Sequence, residues 1–354
     1  MNHPLYIAGP CSAESLEQLI ATAEELNGIS FSYFRAGVWK PRTRPGSFEG
    51  HGIKALPWLN EIQAQFGYKI AIEVASAIHV EQALDAGIDA FWIGARSVTN
   101  PFTVQEIADS LKGVNIPMFI KNPVNPDLKL WLGAVERIEN ATNTNIHAIH
   151  RGFSVYEKMK YRNDPNWQIA LDFKIERPDV PLICDPSHMG GTRDVLLELS
   201  QIAMDLHFDG LHLEVHNDPI HALTDAMQQI NGKELRSLLQ KLKLRERNDL
   251  INDEILELRD KIDSLDKKVL HILVERMKIA DQIGQLKSRN NTTIYQAKRW
   301  KELREKNVKH AQSLGLPEEL VSQLLKLIHQ EAIRIQASYI QHKEDHGIVS
   351  DKID

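Results

Sequence analysis

The feature that most constrains this chain is a rhythm that runs for about 216 residues and then stops. Eight short β-rich runs alternate with amphipathic stretches: LYIAGPC (5–11), FSYFRAGV (31–38), KIAIEVA (69–75), AFWIGA (90–95), PMFIKN (117–122), NIHAIHRG (145–152), PLICDPS (181–187) and GLHLEVH (210–216). Between them lie helix-like segments such as SLEQLIATAEEL, TVQEIADSLKG and DVLLELSQIAMDL. Strand then helix, repeated eight times, predicts an α/β fold, a parallel (β/α)8 TIM barrel over residues 1–232. A doubly wound open sheet is the structural alternative, but it usually needs fewer strands. In the last run Leu211, Leu213 and Val215 alternate with His212, Glu214 and His216, so one face of the strand is apolar and the other carries groups able to bind a ligand.

Past residue 232 the pattern is helical only. KELRSLLQKLKLRERN (233–248) reads as a basic helical linker, 249–340 as an all-α domain, and 341–354 as a polar, frayed tail. Ile251, Ile255, Leu258, Ile262, Leu265, Val269, Ile272, Arg276, Ile279, Ile283 and Leu286 follow a 4-3-4-3 spacing, a heptad seam with one arginine set into it. A helix over 248–288 would be roughly 60 Å long, too long for its own small domain to bury, so a homodimer or higher homo-oligomer with intertwined helices is expected. Two shorter helices should follow near 295–312 and 317–340, the second opened by Pro317 after Gly315.

The formal charge of -6 argues against a nucleic-acid or membrane partner, and no run of about 18 apolar residues occurs. The first residues lack the charged leader and apolar segment of a signal peptide, so a cytoplasmic location is expected. Two cysteines, Cys11 and Cys184, are too few for a disulfide framework and read as buried thiols or ligands.

In a (β/α)8 barrel the strand ends converge at one mouth, and every predicted end here carries functional chemistry. Cys11 follows strand one, Arg35 lies in strand two ahead of Lys40, Arg42 and Thr43, and Glu73 lies in strand three. Ala95 and Arg96 end strand four, Lys121 strand five, Arg151 strand six, His188 follows strand seven, and Glu214 ends strand eight, with Asp225 shortly beyond. Cys11, His188, Glu214 and Asp225 offer sulfur, nitrogen and oxygen, a mix that suits manganese, iron, zinc or cobalt better than magnesium or calcium. Taken singly, each is as readily a core thiol, a helix cap or half of an ion pair. A mouth crowded with Arg35, Lys40, Arg42, Arg96, Lys121 and Arg151 would repel itself unless anions bind there, so anionic substrates are expected. Solvated loop charge is a sufficient account of Arg42 and Arg44, and a poor one of Arg35, Arg96 and Lys121.

GPCS (9–12), RAGVWKPRT (35–43), IGAR (93–96), the lysine of IKN, HRG (150–152), DPSH (185–188) and LEVHNDP followed by LTDA resemble, in order, the type I beta 3-deoxy-arabino-heptulosonate-7-phosphate (DAHP) synthases. The related 3-deoxy-manno-octulosonate-8-phosphate synthases typically have a KANR-like motif where KPRT stands here, and they are the alternative for the barrel. The resemblance implies that Cys11, His188, Glu214 and Asp225 ligate a divalent metal ion, manganese first among the choices. It implies that Arg96, Lys121 and Arg151 hold phosphoenolpyruvate with Arg35 near its carboxylate, and that Lys40, Arg42 and Thr43 bind erythrose 4-phosphate. Glu73 and Ala95 join the substrate-binding set, and Lys40 is the expected proton donor. His212 and His216 are left with core or supporting hydrogen bonds, and the N-terminal regulatory domain of some members is expected to be absent.

The segment LRDKIDSLDKKVLHILVERMKIADQIGQLK and the two helices after it resemble the all-helical chorismate mutases. That implies a dicarboxylate, chorismate or its product prephenate, ringed by Arg259 of a partner copy, Arg276, Lys287, Arg299 and Gln336, with Lys287 and Gln336 on the ether oxygen. Many members carry carboxylates in the second helix where this chain reads YQAKRW, with Gln296 and Trp300. Together the halves imply a bifunctional enzyme of aromatic amino-acid biosynthesis, with feedback through the helical domain. A synthase with a non-catalytic helical dimerisation module is the competing reading.

Overall fold

A computed structural model describes residues 4–40, 46–142, 144–156, 159–245 and 253–347, with side chains in the last segment as far as Tyr339. The chain divides into two compact units, residues 1–247 and 248–354.

The first unit is a closed barrel of eight parallel strands in chain order: β1 (Leu5–Gly9), β2 (Tyr33–Arg35), β3 (Ile70–Val74), β4 (Ala90–Ile93), β5 (Met118–Lys121), β6 (Ile146–His150), β7 (Leu182–Cys184) and β8 (Gly210–Glu214). The ring closes where β8 pairs with β1, from Leu5 opposite Gly210 to Gly9 opposite Glu214. Each strand is shorter than its sequence run because the C-terminal residues leave the ladder to build the mouth. At β7 this is forced: Pro186 has no N–H to donate, and Asp185 caps the following turn by accepting from His188 N.

Strand alternation creates two cores. Ile7, Ala71, Ala90, Trp92, Phe119, Ile149 and Ile183 fill the barrel interior. Phe34, Ile72, Ile93, Leu211, Leu213 and Val215 face the ring of helices. Glu214 and His212 therefore point inward, both fully buried.

The stretch expected as a linker begins as a helix of the barrel unit. Gly232–Lys241 opens with a capping box between Asn231 and Glu234 and buries Leu235 and Leu238 in the outer core. Gly232 N also donates to Glu25 Oε2 at 2.7 Å. Beyond this helix the chain stays tied to the barrel: Lys243 N donates to Gln201 Oε1 at 2.9 Å, and Arg245 pairs with Asp205.

The second unit has three helices among its described residues, Asp253–Arg289, Ala297–Ser313 and Glu318–Gly347. The first and second both pack on the third. Its core is small, with Val308, Ala311 and Val321 at the centre. Within the long helix only Ala280 and Gly284 are buried. The heptad seam lies open: Leu258, Ile262, Leu265, Val269, Ile272 and Ile279 are all more than half exposed. Ile251 lies outside the described residues. Among the described residues no helix is long and apolar enough to cross a membrane.

Candidate active sites

The strand ends bring together groups that are far apart in sequence. Ligand atoms of Cys11, Glu214 and Asp225 all lie within 4.8 Å of one another. Cys11 Sγ is 3.4 Å from Asp225 Oδ2 although 214 residues separate them. His188 stands at the edge of this group, with Nε2 3.5 Å from Glu214 Oε1 and Nδ1 2.8 Å from Asp185 Oδ2. Asp225 is held in the left-handed region, φ 48°, an uncommon conformation for a non-glycine residue and one that clusters at functional sites. Its other carboxylate oxygen accepts from Arg162 Nη1 at 2.9 Å.

The donor set fits a divalent transition ion. Glu214 Oε1 is buried, ion-paired to Arg35 at 3.0 Å but without an aligned hydrogen bond, while Oε2 takes a short one, 2.6 Å, from Gln228 Nε2. Burial, helped by the Glu214 charge, pushes the Cys11 thiol up to about 12. A metal would have to displace that proton, as thiolate ligation requires. Burial alone would raise the Glu214 carboxyl, but His188 and Arg35 outweigh it and hold it near 2. Three anionic or softly basic donors and a histidine are thus gathered where, among the described residues, Arg35, Lys40 and Arg162 balance them.

Arg35 is fully buried, its Nη2 3.0 Å from Glu214 Oε1, its guanidinium 5.1 Å from the Trp92 ring centroid and Nη1 3.2 Å from His212 Nδ1. Lys40 Nζ donates to Cys11 O at 2.9 Å and approaches Cys11 Sγ at 3.1 Å. Lys121 Nζ pairs with Asp185 Oδ2 at 2.7 Å. Burial lowers the Lys121 pKa, with Asp185 opposing it. Arg151 is anchored by its backbone N–H to Asn122 Oδ1 and by Nη1 to Asn163 Oδ1 at 2.9 Å. Burial and the charges of Arg162 and Arg96 lower Arg151 to about 10, so the three guanidiniums share one neighbourhood. Arg96 is exposed in the short helix Ala95–Val98, which Ala95 opens. Glu73 accepts from Trp92 Nε1 at 3.2 Å, and a Cβ at Gly94 would come within 2.1 Å of Glu73 Oε1, so a side chain there would displace that carboxylate. Arg42 and Thr43 lie outside the described residues.

Several groups at this mouth escaped sequence reasoning. Asp185 is the hub: it binds Lys121, His188 and His212, and those three charges overcome its burial to hold its carboxyl well below the usual range. Gln228 and Arg162 clamp Glu214 and Asp225, and Arg162 also donates to Gln228 Oε1 at 2.9 Å. The only available signal was position, since DPSH and the segment after strand eight both follow predicted strand ends. His212 and His216 do take supporting hydrogen bonds, His216 by accepting from Asp218 N at 2.9 Å.

In the helical unit Lys287 Nζ donates to Gln336 Oε1 at 3.1 Å and to Ile294 O at 2.5 Å. Gly284, one turn before Lys287, lets the two helices touch: a Cβ there would lie 3.0 Å from Gln336 Cα. Burial lowers the pKa of both Arg276 and Lys287, and no described carboxylate pairs with either. Arg299 is exposed on the middle helix, and Arg259 is exposed on the long helix. Arg259 lies 17 residues before Arg276 on that unbroken helix, about 25 Å away, so it is not brought to the same cleft within one chain. The ring of Trp300 stacks on His329 at 3.9 Å and 7°. His329 was not anticipated from the sequence.

Comparisons with known proteins agree with this division. Residues 2–249 match the DAHP synthetase I family and residues 258–337 match chorismate mutase type II. The phospho-2-dehydro-3-deoxyheptonate aldolase of Thermotoga maritima is 33% identical over 237 residues, covering 67% of this chain and 68% of that protein. The 2-dehydro-3-deoxyphosphooctonate aldolase of Wolinella succinogenes is 29% identical over 266 residues, covering 67% of this chain and 97% of that protein. A crystal structure of the Thermotoga maritima DAHP synthase superposes with a TM-score of 0.60 at 32% identity, covering 67% of each chain. The barrel and its mouth therefore place this chain in the DAHP synthetase I family, as a bifunctional enzyme whose second unit is a chorismate mutase type II domain.

Proposed function

We propose that the barrel condenses phosphoenolpyruvate with erythrose 4-phosphate, releasing phosphate, and that the helical unit converts chorismate to prephenate. The observation that supports the first reaction best is the convergence of Cys11, Glu214 and Asp225 beside Lys40, with Lys121 and Arg151 close by. Cys11, Glu214, Asp225 and His188 would hold a divalent ion, most suitably manganese, whose chemistry when bound is Lewis-acid polarisation of the aldehyde. Arg96, Lys121 and Arg151 bind phosphoenolpyruvate, Arg35 lies by its carboxylate, and Glu73 and Ala95 line the same substrate space. Lys40, with Arg42 and Thr43, takes the sugar phosphate. Holding two mutually repelling anions in one geometry is an orientation effect worth several kcal/mol. Carbon 3 of phosphoenolpyruvate attacks the aldehyde carbon, and Lys40 gives its proton to the developing alkoxide. Burial alone would make Lys40 a stronger acid, but Cys11 and Glu214 raise its pKa, so it is charged beforehand. Water adds at carbon 2 and the carbon–oxygen bond to phosphate breaks, leaving the keto acid.

The mutase reaction needs no nucleophile, only a held conformation and charge stabilisation as the ether bond breaks. Arg276 binds a carboxylate, Lys287 and Gln336 donate to the ether oxygen, and Arg299 with Arg259 of a second copy completes the ring. Two copies would cover the open heptad seam, making the protein a homodimer or higher oligomer. A pathway product bound in the helical unit would throttle the barrel, which equal synthase kinetics with and without prephenate would disprove.

The test follows phosphoenolpyruvate loss with erythrose 4-phosphate or arabinose 5-phosphate, before and after a chelator that manganese reverses. Chelator-sensitive turnover with the four-carbon sugar alone is expected. Turnover with the five-carbon sugar would move the barrel to the octulosonate class.

A further inference from the structure

His329, close to the cations of the mutase unit, is a polar group that the roles above leave unused. His329 stands on the last helix seven residues before Gln336, two turns away and so on nearly the same face. Its ring lies flat against Trp300 of the middle helix, with Tyr295 also near it, ring centroids 6.3 Å apart. Its Nε2 is buried and has no hydrogen-bond partner among the described residues. A buried polar atom without a partner is costly, so it is retained only where something compensates it.

The chemistry of the cleft says what that is. Arg276 and Lys287 both donate only, and both charges reach His329: its pKa is lowered by burial first and then by these two cations. The ring is therefore neutral at neutral pH and presents a nitrogen able to exchange a hydrogen bond with a hydroxyl. Chorismate carries two carboxylates, an ether oxygen and one ring hydroxyl. Cations suit the carboxylates, and Lys287 with Gln336 suits the ether. The hydroxyl is the polar group of the substrate left over, and His329 Nε2 is a buried nitrogen without a hydrogen-bond partner among the described residues, within reach of both cations' charge.

We propose that His329, fixed by its stack on Trp300, is the residue that recognises the ring hydroxyl of the substrate. This rests on the mutase reading given above. The indole cannot accept a hydrogen bond and holds the imidazole plane, so the two residues act as a pair.

The test compares chorismate with an analogue in which hydrogen replaces the ring hydroxyl, using the full-length protein and measuring kcat/KM for each. The unaltered protein should prefer chorismate by about tenfold or more, the scale of one neutral hydrogen bond in a dry site. In His329→Phe, which keeps the stack and removes the nitrogen, chorismate should fall to the level of the analogue and the preference should vanish. In His329→Gln, which keeps a polar group, part of the preference should return. A parallel fall for both substrates in His329→Phe would make His329 a packing residue and overturn the proposal, as would an unchanged preference. If His329→Phe does not fold, a folded His329→Gln that keeps the full preference overturns it, and a reduced preference supports it. Absence of any chorismate turnover by the unaltered protein would instead sink the mutase reading itself.

Discussion

The two units handle charge in opposite ways. In the barrel mouth, Arg35, Lys40 and Lys121 are packed against Glu214, Cys11 and Asp185 within one chain. In the helical cleft, Arg276 and Lys287 have no described carboxylate partner, and the seam beside them is open. The barrel balances its charge before a substrate arrives, because strand ends from all around a closed ring can supply the counter-charge. A three-helix unit has too little interior for that, so among the described residues its cations lack a carboxylate and its apolar stripe stays exposed.

That contrast can be broken in four places. The largest effect is expected from Glu214→Gln, which should lower synthase turnover on the order of a thousandfold while chorismate turnover stays within about twofold. The same change strands the buried Arg35 charge, so chemical denaturation of the barrel should show a loss of about 3 kcal/mol. A comparable fall in chorismate turnover would mean the sites are not separable.

Acid gives the next test. His150 is buried among Trp131, Phe153, Trp167 and Phe208, with Nε2 donating to Pro165 O at 2.6 Å. Burial lowers its pKa to about 4, although that hydrogen bond opposes the shift. The unfolded chain binds this proton near pH 6.5 and the folded barrel only near 4, so the stabilisation is complete above 6.5 and lost as pH falls between them. Barrel stability should drop on the order of 3 kcal/mol across that window, and in His150→Phe the slope should flatten.

Arg276→Ala should cost chorismate turnover about a hundredfold with synthase kinetics unchanged, since it removes a charge placed for the transition state. Retained mutase activity would favour the non-catalytic module. The smallest effect is Leu265→Glu, which should weaken self-association at least about tenfold by sedimentation, the scale of losing one buried leucine contact. An unchanged association constant would show that the seam is not the interface.

How far the sequence could be read follows the same division. Period-two alternation put Glu214 and His212 on one face of β8 and Leu211 and Leu213 on the other, as the two cores have them. The helical seam was equally plain from its spacing. What spacing alone could not tell is that Asp225 meets Cys11, because that contact is made by ring closure between β1 and β8. Asp185 as hub of the mouth was likewise hidden, since nothing local distinguishes it from an ordinary turn cap. His329 looked like any histidine on a helix, because its partner Trp300 comes from another helix and only packing joins them.

Gly284 has a consequence that reaches beyond its own turn. A glycine inside a helix costs about 1 kcal/mol relative to alanine, so the long helix is weaker for having one there. What it sets is a clearance: with hydrogen at that point, the backbone carrying Lys287 lies against the backbone carrying Gln336. A methyl group there would ask the two backbones to part by a few tenths of an ångström, moving Lys287 relative to Gln336. The approach of the two helices at Lys287 and Gln336 is thus gauged by a residue that has no side chain.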